Sequence, residues 1–292
     1  MTVLVVGATG DLGGLIARSL LEQGAQVRIL VREGSSYDDL VELGAEAVPG
    51  DLKDAASLRT ACAGVETVIT TANSVARGGE DTVESVDRKG NLDLIEAAAG
   101  AGVRRFIFIS ALGANASSPE PFMRAKGEAE EALRESGMTW TIFQPNIYME
   151  LWIPMMVGGP ALAGKPVTLV GKGRRRHSMV ARQDVAAYAL AALENKAADD
   201  QTLVIGGPEP LSWRDIIAAF EDELGRPIPV QSIPLGQPMP GFPPAVTGLV
   251  TALETYDSPI DMSGLVSSFG VTPSPVADFI RDFIGVHAGA GG

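Results

Sequence analysis

The 292-residue chain reads as an α/β fold, a doubly wound parallel sheet with a smaller, irregular C-terminal lobe. Three observations predict it. Short apolar runs rich in β-branched residues recur through the first half, each followed by a stretch with helical spacing, as repeated βαβ units require. The first of these runs ends in a cluster of glycines that opens directly into a helix. Past residue 146 the alternation stops, and Pro and Gly become frequent.

The first run, Val3-Leu4-Val5-Val6, has a length shared by a buried strand and a piece of buried helix. Its β-branched content and the glycines that end it select a strand buried on both faces. Gly7, Gly10, Gly13 and Gly14 follow, and then a helix with Leu15, Ile16, Leu20 and Leu21 on one side. Outward-pointing N–H groups and the helix dipole make such a junction an anion site. Gly7 allows the tight turn, Gly10 the close approach of a pyrophosphate, and Gly13 the packing of helix on strand. The strand before and the helix after carry the argument, and they point to a dinucleotide held on a Rossmann-type sheet.

The remaining elements follow in order. Gln26–Val31 is the second strand, a short helix spans Asp38–Leu43, and Ala45–Val48 is the third strand. A helix over Ala55–Ala61 precedes the fourth strand, Val65–Thr70. Val83–Gly100 is one long helix, Arg105–Ile109 the fifth strand, Phe122–Ser136 a charged helix and Trp140–Phe143 the sixth strand. Ile147–Val157 is apolar and Met-rich, and a basic loop, Arg174-Arg175-Arg176-His177, follows. A helix over Arg182–Leu193 and a strand at Thr202–Ile205 return to the sheet. Ser212-Trp213-Arg214-Asp215 has the form of a capping box that starts a helix to Leu224. Pro234–Pro244 is a loop, helices span Ala245–Tyr256 and Pro275–Ile284, and His287–Gly292 is a frayed tail. The expected division is 1–146 plus 178–206 for the nucleotide-binding domain and 147–177 plus 207–292 for the small substrate lobe, with the substrate in a cleft between them.

Composition narrows the partners. A formal charge of −13, from 23 basic and 36 acidic side chains, argues against nucleic acid or an anionic membrane surface. A single cysteine, Cys62, leaves no intrachain disulfide, and two histidines make a metal centre improbable. With no leader pattern and no membrane-length apolar run, the expected location is the cytoplasm. A homodimer is left open.

Several residues at strand ends could carry chemistry. An acid after the second strand would accept from both ribose hydroxyls and repel a 2′-phosphate. Here Arg32 stands there, and its guanidinium suits a phosphate, which favours NADP(H) over NAD(H). A solvated Arg in a surface turn is the plainer reading. Asp51-Leu52 after the third strand could meet the adenine amino group, or Asp51 could cap the next helix. Thr70-Thr71-Ala72-Asn73-Ser74 and Ser110-Ala111-Leu112-Gly113 follow the fourth and fifth strands, where small polar residues can line a nicotinamide ribose. Lys126 could hold ribose hydroxyls and serve a proton relay. The run Tyr148-Met149-Glu150-Leu151-Trp152-Ile153-Pro154-Met155-Met156 suits a flat apolar substrate, or is core or a dimer face. Arg174–His177 could steer an anionic ligand, or balance local charge.

The pattern TGxxG over residues 9–13, Arg32, Gly50-Asp51-Leu52, the stretch Gly102–Ser110, Lys126-Gly127-Glu128-Ala129-Glu130, Trp140–Asn146 and Gln183-Asp184-Val185-Ala186 together resemble the atypical short-chain dehydrogenase/reductases. More narrowly they are similar to the NmrA-like group, with its isoflavone-reductase-like and NAD(P)H:quinone-reductase-like members. The resemblance covers roughly residues 1–206. It implies Gly7, Thr9, Gly10, Asp11, Leu12 and Gly13 at the pyrophosphate, Arg32 at the 2′-phosphate and Asp51-Leu52 at the adenine. It places the Asn73 region, Thr71 and Ala72 included, and Ser110 beside the nicotinamide half, and Lys126, Pro145 and Asn146 also among the cofactor-binding residues. Short-chain reductases use Tyr-x-x-x-Lys, whose tyrosine protonates the carbonyl oxygen as hydride arrives. The matching segment is Phe122-Met123-Arg124-Ala125-Lys126, and Phe122 has no proton to give. The expected activity is NADPH-dependent reduction of a small hydrophobic carbonyl, enone or quinone, with Lys126, Ser110 or Tyr148 supplying the proton. The alternative is a catalytically silent NADP(H)-binding redox sensor. Sugar-nucleotide epimerisation is disfavoured by the same Phe122.

Overall fold

The computed structural model describes residues 1–75, 78–242 and 244–288. Its strands, in chain order, are β1 (Thr2–Val6), β2 (Gln26–Val31), β3 (Glu46–Pro49), β4 (Thr67–Thr70), β5 (Arg105–Ile109), β6 (Thr139–Pro145), β7 (Val167–Val170), β8 (Gln201–Ile205) and β9 (Val230–Ile233). Seven form one sheet in the order β3-β2-β1-β4-β5-β6-β8, while β7 and β9 pair separately. All pairs from β3 to β6 are parallel. Between them run the helices α1 (Asp11–Glu22), α2 (Asp38–Glu42), α3 (Ala55–Cys62), α4 (Asn91–Gly100) and α5 (Pro121–Glu135).

The chain divides into two compact units, Met1–Pro145 with Val185–Val204 and Asn146–Asp184 with Ile205–Gly292. In the first, β1 is central and its Val3, Leu4, Val5 and Val6 are buried, which is why it carries no polar alternation. The strand order reverses between β1 and β4. Register pairs Val6 with both Leu30 and Thr70, and Thr70 with Phe108, so Gly7, Arg32, Thr71 and Ile109 all emerge at one sheet edge. In doubly wound sheets this carboxyl edge, beside the reversal, is where ligands bind.

The stretch expected as one helix from Val83 to Gly100 is wound in two ways. Val83–Gly90 has π-type hydrogen bonding and continues as α4. Asn91 explains the change: its buried amide donates to the Val86 and Asp87 carbonyls at 3.2 and 3.1 Å, drawing the helix open at that turn. A Thr82–Ser85 capping box holds the start.

The second unit has its own core of Met149, Trp152, Ile153, Val157, Trp213, Phe220, Val250 and Ile280, among others. The Ser212–Asp215 capping box forms as expected and starts the helix Trp213–Leu224. The parallel pair β7–β9 was not legible in the sequence, because each strand has four residues and β9 is largely exposed. The last helix, Val276–Ala288, runs through His287, the first residue of the expected frayed tail. There His287 Nδ1 lies 2.7 Å from the Phe283 carbonyl and its ring packs on Phe283, holding the final turn. Residues 289–292 of that expected tail, and Pro243 of the expected Pro234–Pro244 loop, lie outside the described residues. Among the described residues no helix is long and apolar enough to cross a membrane.

Candidate functional site

The glycine turn sits at the carboxyl end of β1. Gly7 has φ +90°, a conformation L side chains rarely adopt, and a Cβ there would lie 2.6 Å from Thr71 Oγ1. A Cβ on Gly13 would stand 2.2 Å from the Gly7 carbonyl oxygen, so helix and turn touch backbone to backbone. Gly10 differs. Its φ and ψ of −94° and 165° suit any residue, and a Cβ would meet nothing closer than 3.4 Å. As the N-cap of α1 its carbonyl accepts the Gly14 N–H at 2.7 Å, but it offers the first turn no side-chain acceptor. Thr9 and Asp11 are exposed beside it and Leu12 is half-buried.

A cleft at this edge is lined by Gly7, Thr9, Arg32, Asp51, Leu52 and Asn73, with Asp81 at its side. Arg32 donates to Asp81 Oδ2 at 2.6 Å and Lys53 Nζ to Asp81 Oδ1 at 2.8 Å. The Lys53 hydrogen bond, with Arg32 behind it, holds the Asp81 carboxyl below the usual carboxylate range. Asp51 does not cap α3; Asp54 does, accepting from the Ala56 N–H, while Asp51 Oδ1 accepts the Lys53 N–H at 2.8 Å. Leu52 is buried under the cleft. Asn73 folds into a local turn, donating to the Thr71 carbonyl and accepting from the Val75 N–H.

Further along the edge Lys126 is 2% exposed. Its Nζ donates to the carbonyls of Ile109 at 3.3 Å and Ala72 at 3.5 Å, which places the ammonium at the ends of β5 and β4. Asp87 Oδ1 lies 3.9 Å away. That oxygen is buried with no hydrogen-bond partner among the described residues, whereas Oδ2 accepts from the Ser74 N–H and hydroxyl. The rings of Phe108 and Phe122 stand 4.8 and 5.6 Å from Nζ. Burial pulls the lysine below its ordinary value, and Asp87 and then Glu130 oppose that shift. Phe122 and Lys126 occupy one face of α5 a turn apart, the spacing that Tyr-x-x-x-Lys requires.

Ser110 is buried and donates to Glu130 Oε1 at 2.6 Å. Glu130 also accepts from Gln144 at 2.8 Å and Arg134 at 2.8 Å. The hydroxyl proton of Ser110 is therefore committed away from the edge, and its oxygen is left as an acceptor. Pro145 is buried and its carbonyl accepts the Leu112 N–H at 3.0 Å, tying the loop after β5 to β6.

The other residues singled out from the sequence belong to the second unit. Asn146 is engaged throughout, donating to the Ser258 hydroxyl and carbonyl and accepting from the Ile147 N–H. Tyr148 is half-buried, and burial with the neighbouring Glu150 pushes its phenol above the ordinary value, so it holds its proton more firmly. Met149, Trp152, Ile153 and Met156, four of the nine residues of the Met-rich run, are core of that unit. Arg175 and Arg176 pair with Asp257 and Asp215, and His177 is buried with Nδ1 2.7 Å from the Ser258 hydroxyl, so this loop balances its own charges.

Sequence reasoning missed Lys53, Asp81, Asp87 and Glu130. Glu130 carried a signal, since Phe122, Lys126 and Glu130 recur at helical spacing on one face. Asp81 carried none, lying 49 residues from the arginine it binds.

A family model described as NAD(P)H-binding matches residues 7–196. A photosystem II assembly factor, Ycf39 of Cyanophora paradoxa, is 34% identical, the match covering 80% of this chain and 72% of that one. The chain belongs to the NAD(P)H-binding, NmrA-like group of atypical short-chain dehydrogenase/reductases. Its relatives in the group include an NAD(P)H azoreductase of Xenophilus azovorans, 29% identical over 99% of each chain. The Escherichia coli quinone oxidoreductase QOR2, solved with NADPH, shares the fold with a TM-score of 0.79 at 21% identity, covering 97% of this chain and 99% of that one. The NmrA-like assignment accounts for the glycine turn and the carboxyl-edge cleft together.

Proposed function

We propose that this chain is an NADPH-dependent reductase that passes a hydride to a small hydrophobic carbonyl, enone or quinone, with Lys126 as the proton-holding group. The observation that carries the reading is the buried Lys126 at the ends of β4 and β5, on the same carboxyl edge as the glycine turn. The residues fit the cofactor. Gly10 is a glycine that nothing in the protein's own packing demands, at the start of a helix whose cap makes no side-chain bond, so the close approach of a pyrophosphate explains it. Arg32 and Lys53 bring two cations to the adenine end, where a 2′-phosphate would sit. Asp51 and Leu52 would meet the adenine.

The nicotinamide supplies the hydride when bound. The chain supplies the rest: Ala72, Asn73 and Ser110 line the edge, and Ser110 offers an oxygen as acceptor. Lys126 holds a proton in a dry setting where burial weakens its grip and Asp87 opposes that weakening. A carbonyl or quinone takes up one hydride and one proton, so a proton held by Lys126 and replaced from water completes the stoichiometry. Phe122 then acts as an apolar wall against the ammonium rather than as the acid. The full-length azoreductase relative supports a reductase of flat, conjugated acceptors.

A second reading has its own support. The group includes a 34% identical assembly factor, and Phe122 lacks the usual hydroxyl, as a catalytically silent NADP(H) sensor would. The deciding experiment is NADPH oxidation with a panel of quinones, enones, aldehydes and azo compounds, with Lys126→Ala as control. Turnover that Lys126→Ala abolishes supports the reductase. Tight NADPH binding without turnover of any acceptor overturns it in favour of the sensor.

A further inference from the structure

At the adenine end of the cleft two cations already share an anion. Arg32 and Lys53 come from loops after β2 and β3, and Asp81 receives both, one on each carboxylate oxygen, at 2.6 and 2.8 Å. The carboxylate is 9% exposed, whereas Arg32 and Lys53 are 38% and 29% exposed. Asp51 adds a second carboxylate, 3.8 Å from Lys53. Among the described residues, both cations therefore already have carboxylate partners before any ligand arrives.

A 2′-phosphate seeking Arg32 and Lys53 would meet Asp81 in the position it needs, and two like charges sharing one pair of cations repel. A ribose with a free 2′-hydroxyl brings no such conflict, because a hydroxyl donates to a carboxylate. We propose that Asp81 is a specificity-determining residue: it stands in for the 2′-phosphate on Arg32 and Lys53, must give them up when NADPH binds, and keeps them satisfied when NADH binds. Asp81 thereby narrows the preference for NADPH that the two cations alone would impose. Its carboxyl is ionised at neutral pH, since Lys53 and Arg32 hold it below the usual range, so the competing charge is present under ordinary conditions.

This inference rests on the NADP(H) reading of Arg32, and the test separates the two. Binding of adenosine 2′,5′-bisphosphate and of AMP, which differ by the 2′-phosphate, is measured by calorimetry on the full chain. Asp81→Asn keeps the shape and removes the charge, and Asp81→Ser serves as a second variant. Either is expected to tighten the bisphosphate by about tenfold or more while AMP changes less than about twofold. The gain should vanish when Arg32→Ala is added. Bisphosphate binding that is unchanged or weaker in a folded Asp81 variant overturns the proposal, because Asp81 would then be a brace that positions the cations. Loss of fold in both variants overturns it on the same ground. If Arg32→Ala alone weakens both ligands equally, the 2′-phosphate assignment itself fails.

Discussion

Gly10 and Gly13 stand three residues apart and are glycines for different reasons, and alanine at each should separate them. At Gly13 an added Cβ would lie 2.2 Å from the Gly7 oxygen and 2.6 Å from its carbon, about 1.2 Å short of ordinary contact with the oxygen. Both neighbours are backbone, so no side chain can rotate away. Helix α1 would have to retreat from β1, loosening Ile16, Ala17 and Leu20, all buried against the sheet. Overpacking of this kind costs about 1–3 kcal/mol or more. At roughly 2–4 °C per kcal/mol, Gly13→Ala should lower the melting temperature of the ligand-free protein by about 3–10 °C. Gly10→Ala has no clash to relieve. Alanine restricts the unfolded chain, worth about 0.4–1 kcal/mol, but is a poorer N-cap than glycine, and the two effects offset. Its melting temperature should stay within about 3 °C of the wild type. NADPH affinity, followed by calorimetry, should nonetheless fall by about tenfold or more. Undiminished NADPH binding by Gly10→Ala would refute the pyrophosphate argument, and an unshifted melting temperature for Gly13→Ala would refute the packing argument.

Lys126→Met keeps the apolar stem and removes the ammonium; kcat with a quinone acceptor should fall by about 10²–10⁴-fold, measured in single-turnover reactions at saturating NADPH. Asp87→Asn removes the main group that raises Lys126 against burial, so the lysine should lose its proton at lower pH. Activity that needs the protonated lysine is present below that pKa and lost as pH rises through it. The alkaline limb of the kcat profile should therefore move to lower pH in Asp87→Asn, and a limb that stays or moves up contradicts the assignment. Glu130→Ala strands the buried Ser110 hydroxyl and the half-buried Gln144 amide, while Arg134 keeps the Thr202 hydroxyl. It should cost about 2–4 kcal/mol of stability, read as a lowered thermal midpoint.

Legibility followed the range of the physics. The β1 strand, the glycine turn and the alternation up to β6 were readable because period, chain punctuation and steric demand are local. Arg32, after the second strand, and Lys126, on the charged helix before the sixth, were readable as chemically capable residues. Their partners were not. Asp81 meets Arg32 only after β2 and β4 have paired on either side of β1, and Asp87 meets Lys126 only when α5 docks beside the Val83–Gly90 turn. The Met-rich run stayed open between core and substrate surface for a related reason. Methionines that fill a core and methionines that greet a ligand share one pattern, and only burial tells them apart.

Two of the three carboxylates that escaped notice, Asp81 and Asp87, come from one short stretch of chain. Asp81 holds the cations at the adenine end, and Asp87, six residues on, faces the lysine at the other end of the same sheet edge. Between them lie the Thr82–Ser85 capping box and the first of the widened turns that Asn91 draws open. An ordinary α-helical winding from Val83 would rotate Asp87 relative to Asp81, since each widened turn advances fewer degrees per residue. The π winding is thus the local feature on which the joint placement of both carboxylates depends. Asn91→Leu should report on this directly. Loss of the side-chain bonds to the Val86 and Asp87 carbonyls favours regular α-winding, and both ends of the site should respond together: a changed ratio of adenosine 2′,5′-bisphosphate to AMP affinity, and an alkaline limb shifted as in Asp87→Asn. A change at one end alone would show that the two carboxylates are placed independently.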